Sequence, residues 1–304
     1  MEYPLIAWGL FHLFIFAAIA IDLVNVKGKT TSVSMQAAWT RSLIWILLAL
    51  FFCLGLYEWQ GKESALNFLA AYLLEKSLSI DNLFVFLVIF SYFSISSHDR
   101  QRILIWGVLG ALVMRAIFIF SGVYLFQKIH WITYLFALFL IFTGARMVWR
   151  KDKLVDPKNN LAIRFLQKVI PISADTHEGK FFVQTEGKYS ATPLFLALLS
   201  VEMADIVFAI DSVPAALAIT SDSFIIYTAN VFAILGLRSL FFALAGLMER
   251  LHYLQYGLAL LLVFIGIKML LAGYIEIPIT VTLGVIAAVL LVSTIASFMK
   301  TRKD

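Results

Sequence analysis

Two short stretches, each deep inside an apolar segment, share one pattern: Glu75-Lys-Ser-Leu-Ser-Ile-Asp81-Asn82-Leu and Asp205-Ile-Val-Phe-Ala-Ile-Asp211-Ser212-Val. Each reads acid, four residues, Ile, Asp, then Asn or Ser, and Glu202 stands one turn before the second copy, making five acids. A carboxylate at bilayer depth costs roughly 2.5 to 3.5 kcal/mol on insertion scales, so it marks a functional site by default. Carboxylates beside amide, hydroxyl and carbonyl oxygens are hard ligands suited to Mg²⁺, Ca²⁺ or Mn²⁺, whereas softer metals call for Cys or His. The pattern points to a chain that carries a cation.

Helical geometry limits which acids can act together. Glu202 and Asp205, three apart, share a face. At 100° per residue Asp211 points about 120° from Asp205 and about 180° from Glu202, so one straight helix cannot turn all three toward one ion. Pro214 removes its own amide donor and disturbs the carbonyl of Ile210, four residues back. The expectation is a helix broken over 210–214 that turns Asp211 inward, since irregular backbone is tolerated at membrane depth where it lines a cavity. The first copy has no matching proline, and Asn82 supplies a side-chain oxygen there instead.

The elements that must carry these residues are membrane spans. Of 304 residues 62% are hydrophobic and 14% charged, with mean hydropathy +0.91, which leaves too little polar surface for a water-soluble globule. Runs able to cross ~30 Å of hydrocarbon fall near 5–24, 40–57, 66–92, 103–126, 131–149, 193–219, 224–247, 253–273 and 278–299. The fold class expected is an all-α membrane protein of about nine transmembrane helices. Ala18-Ile-Ala20 resembles a signal cleavage site, but no Lys or Arg precedes it, so the first run reads as a helix.

With nine spans, one side of the membrane receives Lys27, Lys29, Arg41, Arg100, Arg102, the eight basic residues from Arg150 to Lys188, Arg250, Lys300, Arg302 and Lys303; the other receives Lys62 and Lys128. The positive-inside rule makes the rich side cytoplasmic, with the N-terminus outside and the C-terminus inside. This distribution accounts for the basic balance without nucleic acid as a partner. Cys53 is the only cysteine and lies in an apolar run, so it reads as packing. His98, His130, His177 and His252 fall at span ends or in loops, and His12 stands alone, so no histidine metal cluster is expected. No His-Glu-x-x-His, haem-ligand pair or cysteine pair suggests an enzyme.

Tyr134 to Met147 and Tyr256 to Met269 are identical at seven of fourteen positions, with Tyr, Gly and Met in register and Arg146 matched by Lys268. Leu109-Gly110 resembles Leu235-Gly236, and the acidic patterns lie upstream of each. Spans three to five thus repeat as spans six to eight. Three is odd, so the second copy enters from the opposite face, an inverted repeat of the kind that places sites near the midplane of secondary transporters. The expected plan is two spans within 1–60, a first repeat over 66–149, a cytoplasmic linker over 150–192, a second repeat over 193–273, and a last span with a basic tail over 278–304. Within the linker, 181–185 and 188–192 around Glu186-Gly187 read as a small hairpin, and the linker's basic residues suit anionic lipid headgroups.

A competing expectation is purely structural. Lys76, Arg115, Arg146, Arg238 and Lys268 lie in or near the spans, and five bases could pair with five acids, holding helices together without moving anything.

The two acidic motifs, with Phe90-Ser-Tyr-Phe93, Val201-Glu202-Met-Ala-Asp205 through Pro214-Ala, and Asn230-Val-Phe-Ala-Ile-Leu-Gly-Leu-Arg238, resemble the TerC family, its Alx branch above all, over about residues 5–299. The resemblance implies a bacterial inner-membrane protein that exports Mn²⁺ as its transported substrate and needs no cofactor, with links to alkaline pH and tellurite resistance. Carried onto this chain, it implies metal-site acids at Glu75, Asp81, Glu202, Asp205 and Asp211, with Asn82 and Ser212 adjacent. Met203-Ala204 stands where related sequences often have Leu-Ser, one hydroxyl fewer. The partners implied are a divalent metal ion and membrane lipids, with self-association left open. Proton exchange is expected to accompany the cation, because carboxylates must be deprotonated to bind it. The alternative is a membrane scaffold, assembly or tellurite-resistance protein with no transport of its own.

Overall fold

The computed structural model describes residues 5–27, 35–129, 131–149, 173, 179–185, 188–244, 253–275 and 277–301; the side chains of 21–27, Asp81, Phe84, Thr185, Lys188, Leu244 and Thr301 lie outside the description. The helices are α1 (Leu5–Lys27), α2 (Met35–Gln60), α3 (Lys62–Tyr92), α4 (Ser97–Lys128), α5 (Ile132–Trp149), α6 (Pro193–Leu217), α7 (Ser223–Leu235), α8 (Leu237–Leu244), α9 (Leu254–Leu271) and α10 (Ile279–Thr301). Strands β1 (Phe182–Thr185) and β2 (Lys188–Ala191) pair antiparallel, Phe182 opposite Ala191 and Thr185 opposite Lys188.

Because α7 and α8 run on through Gly236 as one rod, the described helices form nine rods, one on each apolar run of the sequence. Seven are long and apolar enough to cross a membrane. The other two are α1, whose described apolar stretch is Leu5–Ala20, and α3, which carries Glu75, Lys76 and Asp81 in its middle. Sequence makes the central rod recognisable: α7 is apolar all round except for Ser223, Tyr227, Thr228 and Asn230, and every described residue from Phe224 to Phe241 is buried. By contrast α2, α5 and α10 present Phe51, Trp149 and Val292 outward, as a lipid-facing rim requires.

Close approach replaces hydrophobic drive where lipid is as apolar as leucine, so small residues sit at the crossings. On α5, a Cβ at Gly144 would come 2.6 Å from the Ala259 carbonyl oxygen and 2.8 Å from Val263 Cγ2 on α9. On α9, a Cβ at Gly266 would come 2.7 Å from the Ala137 carbonyl oxygen and 2.8 Å from Ile141 Cγ1 on α5. Gly144 and Gly266, Ala137 and Ala259, and Ile141 and Val263 occupy matching positions in the two similar segments, so the crossing is reciprocal. The other close pairs are α4 on α6 and α3 on α7.

The apolar core is split in two. One cluster gathers Phe68 and Leu74 of α3, Ile119 and Val123 of α4, and Val213 and Leu217 of α6. The other gathers Leu83 and Phe90 of α3, Ile103 and Ala111 of α4, and Val201 and Ala204 of α6. Along α3 the first cluster precedes the second, along α4 and α6 the order reverses, and α7 with α8 follows the order of α3. The seam between the clusters falls at Glu75 to Asn82, at Arg115, and at Asp205 to Ser212.

Candidate functional site: a carboxylate pair bridged by arginine

At that seam α4 delivers Arg115, only 2% exposed. Its Nη1 donates to Glu75 Oε2 of α3 at 2.6 Å and to Ser212 Oγ of α6 at 3.1 Å. Its Nε and Nη2 donate to the two carboxylate oxygens of Asp205 on α6, at 3.4 and 3.3 Å, the fork geometry in which arginine meets a carboxylate. Glu75 and Asp205 are themselves buried, as is Ser212. Three helices thus place two carboxylates and one guanidinium where water does not reach. Each buried charge costs several kcal/mol to desolvate, repaid only through close pairing, and this cluster holds more carboxylate than cation.

Unmade hydrogen bonds mark the same level. Glu75 Oε1 has no partner, nor do Ser79 Oγ and Asn82 Nδ2, one and two turns further along the same face of α3. Neither amide atom of Asn230, on α7, has a partner. Tyr227, one turn before Asn230, meets Phe120 of α4 with ring centroids 5.8 Å apart. Ile234, one turn after, lines with Gly107 and Ala111 a void of about 10 Å³ beside Asp205. Asn230 therefore lies level with Arg115, which stands between Ala111 and Phe120 on the facing helix. Buried polar groups are normally paired, and a void of this size holds about one water.

The remaining acids stand apart from the bridge. Glu202 lies one turn before Asp205 with its carboxylate against Gly110 of α4, where any Cβ would overlap it, and it makes no ion pair among the described residues. Asp211 turns toward α5, where Thr143 Oγ1 donates to it at 3.4 Å. The Asp81 side chain lies outside the described residues. Among those residues no group of three or more His, Cys, Asp or Glu assembles that could hold a metal ion.

The break expected over 210–214 does not occur. α6 continues to Leu217 with Pro214 inside it; the proline forgoes its own bond to the Ile210 carbonyl, and the buried packing of Ser212 to Leu217 holds the helix together. Asp205 and Ser212, seven apart, consequently share the face that meets Arg115, while Asp211 is carried off it. The interruption lies instead at Gly236 in the next rod, where Lys76 Nζ donates to the Ala233 carbonyl at 3.3 Å and fills the space a Cβ on Gly236 would need. Lys76 thus takes a carbonyl rather than an acid, so one-to-one pairing of five bases with five acids is not what forms.

Of the residues expected at the site, the structure brings Glu75, Asp205 and Ser212 together and sets Asn82 and Glu202 nearby. Sequence reasoning ranked Arg115 only as a pairing partner and gave no role to Ser79, Thr143 or Asn230. The signal for Arg115 was available: a guanidinium mid-span is as costly as the acids.

The family model described as "Integral membrane protein TerC family" matches residues 60–304. An uncharacterized membrane protein of Myxococcus xanthus is 44% identical over 295 residues, covering 97% of this chain and 92% of its own. A protein of Escherichia coli (strain K12) named "Putative membrane-bound redox modulator Alx" is 43% identical over 298 residues, covering 95% of this chain and 92% of its own. An uncharacterized membrane protein of Rickettsia bellii (strain RML369-C) is 38% identical over 294 residues, covering 97% of each. No solved structure matches the chain.

Proposed function

Because this chain belongs to the TerC family of integral membrane proteins, we propose that it is a transporter, not an enzyme, that moves a hard divalent cation, Mn²⁺ first, out across the bacterial inner membrane by alternating access. The observation that carries this reading is the meeting of Glu75 and Asp205, acids at matching positions of the two similar halves, at the seam between two apolar clusters. A purely structural pair would satisfy its oxygens, yet Glu75 Oε1 is left without a donor. Carboxylate, amide and hydroxyl groups are the donors hard cations take.

The reciprocal Gly144–Gly266 crossing and the opposite order of the clusters along α3 and α6 support an inverted repeat, so rocking of one half against the other would expose the seam to each side in turn. The basic loops orient the N-terminus outside and the C-terminus inside. In this reading the metal arrives at deprotonated carboxylates, and Glu202 and Asp211, which have no ion pair among the described residues, carry any protons exchanged for it. The name of the Escherichia coli relative speaks of redox modulation. This chain has one cysteine, Cys53, whose Sγ donates to the Ala65 carbonyl at 3.4 Å, so a redox effect here would follow from the metal moved rather than from a thiol pair.

The test is Mn²⁺ flux in proteoliposomes under opposed pH gradients, comparing the native chain with Asp205→Asn and Asp211→Asn. The reading expects flux that follows the proton gradient and is lost in both variants while they remain folded. Full flux in the amide variants would overturn the site, and flux indifferent to the gradient would remove the proton coupling.

A further inference from the structure

The carboxylate site already holds a cation, the protein's own. Arg115 reaches it from α4 and touches one acid from each similar half, plus Ser212. While the guanidinium sits there, no third acid closes around the same point among the described residues. We propose that Arg115 is the resident counter-ion of the transport site, displaced when a divalent cation binds and returning when it leaves, so that the emptied carrier can reorient. This rests on the transport reading above and adds what happens to the site between cargoes.

Three features support displacement over a permanent staple. The first is that the guanidinium is held unevenly. Its 2.6 Å contact with Glu75 is short, but those with Asp205, at 3.3 and 3.4 Å, are longer than the roughly 2.7 to 2.9 Å usual for charge-assisted N–H···O bonds. Arg115 is therefore held by its own half through one short contact with Glu75, and by the other half through three longer ones, to Asp205 and Ser212, that can be exchanged one at a time. The second is a destination. Asn230 stands level with Arg115 on the facing rod, and its Oδ1 is a buried acceptor with nothing to accept. A displaced guanidinium needs such an acceptor, because an unpaired buried donor is costly. The third is necessity. Closing an empty site around two carboxylates with no positive charge present would cost several kcal/mol per ion, a barrier that would hold the carrier on one side. A tethered guanidinium removes that barrier, and a rigid chain of five N–H donors suits the task better than a hydrated ammonium.

The consequence is a split between two transport modes. Net movement of Mn²⁺ into metal-free buffer requires the empty carrier to return; exchange of Mn²⁺ for Mn²⁺ does not. The experiment uses the full chain in liposomes with radioactive Mn²⁺ as probe, measuring both modes for native protein, Arg115→Gln and Arg115→Lys, with thermal melting in the presence and absence of Mn²⁺. Arg115→Gln is expected to slow net movement at least about tenfold, on the scale of losing a buried charge pair, while exchange stays within about threefold of native. Mn²⁺ should raise the melting temperature of Arg115→Gln more than that of the native chain, because no guanidinium competes with it. Arg115→Lys keeps the charge but not the fork, so it should bind Mn²⁺ more tightly than native and fall between the two in net movement. Equal loss of both modes in a folded Arg115→Gln, or net movement at the native rate, would overturn the proposal. If Arg115→Gln does not fold even with Mn²⁺, Arg115→Lys decides, and an unchanged Mn²⁺ affinity there would overturn it. A native chain that moves Mn²⁺ in neither mode is a separate failure, that of the transport reading itself.

Discussion

The acidic motif of α3 and that of α6 deliver one acid each to the same guanidinium, yet their surroundings differ. Around Glu75, α3 offers Ser79 and Asn82 with unpartnered polar atoms, and Lys76 turns aside to a carbonyl. Around Asp205, α6 offers two further acids, Glu202 against Gly110 and Asp211 against Thr143. The two halves therefore match at the bridge and diverge beside it. A duplicated frame can hold a shared anchor in the middle while each copy specialises its flanks, one toward neutral ligands and the other toward charge. The short bond to Glu75 and the longer ones to Asp205 show the same inequality within the bridge.

The match between halves is broken most directly at the crossing of α5 and α9. Gly144→Val and Gly266→Val each drive a side chain into the partner's backbone, and overpacking of this kind costs about 1 to 3 kcal/mol, here at the upper end because a carbonyl oxygen is in the way. The two variants are expected to lower the melting temperature equally. A variant that costs nothing while its counterpart unfolds the protein would show that the halves do not correspond there.

A smaller effect sharpens the difference between the flanks. Gly110→Ala displaces the Glu202 carboxylate, the mobile end of a side chain, so the fold should persist with melting shifted by a few degrees at most, consistent with a cost of about 1 kcal/mol. Mn²⁺ flux driven by a proton gradient should nevertheless fall about tenfold, the change produced by a penalty of about 1.4 kcal/mol on the proton-carrying step. Gly236→Ala, whose new Cβ meets Lys76 instead of an acid, should leave Mn²⁺ affinity unchanged. If the two alanines reduced flux alike, Glu202 would have no special part in proton exchange.

Much of the frame was legible in the residues. Composition required spans, and each of the nine apolar runs carries a rod, because length and hydropathy are local properties that no neighbour overrides. The match between the Tyr134 and Tyr256 segments was legible, whereas the crossing of their glycines, a contact between separate helices, was not. The break at Pro214 was misplaced for a physical reason: the proline weakens only the turn back to Ile210, and burial of every residue from Ser212 to Leu217 offsets that local cost. Gly236 gave little warning, since glycine is common in spans and its reason here, Lys76 on another helix, is tertiary. The bridge itself was half legible. Each acid and Arg115 is conspicuous in an apolar run, but which base meets which acid depends on the depth at which separate helices cross, and spacing along one helix does not encode that. Asn230 was legible only as part of the family pattern, because an amide in a central rod reads as packing until its two unpartnered amide atoms are seen.

The central claim is that both halves build one cation site. Equilibrium binding of Mn²⁺ to the purified chain tests it most directly, with Glu75→Gln and Asp205→Asn measured beside the native protein. One Mn²⁺ per chain is expected at the seam, with either substitution weakening it by about 10- to 100-fold, the value of a hydrogen bond to a charged group being about 1.5 to 3 kcal/mol. Native affinity retained in either variant, or two independent sites of which each substitution removes one, would contradict it.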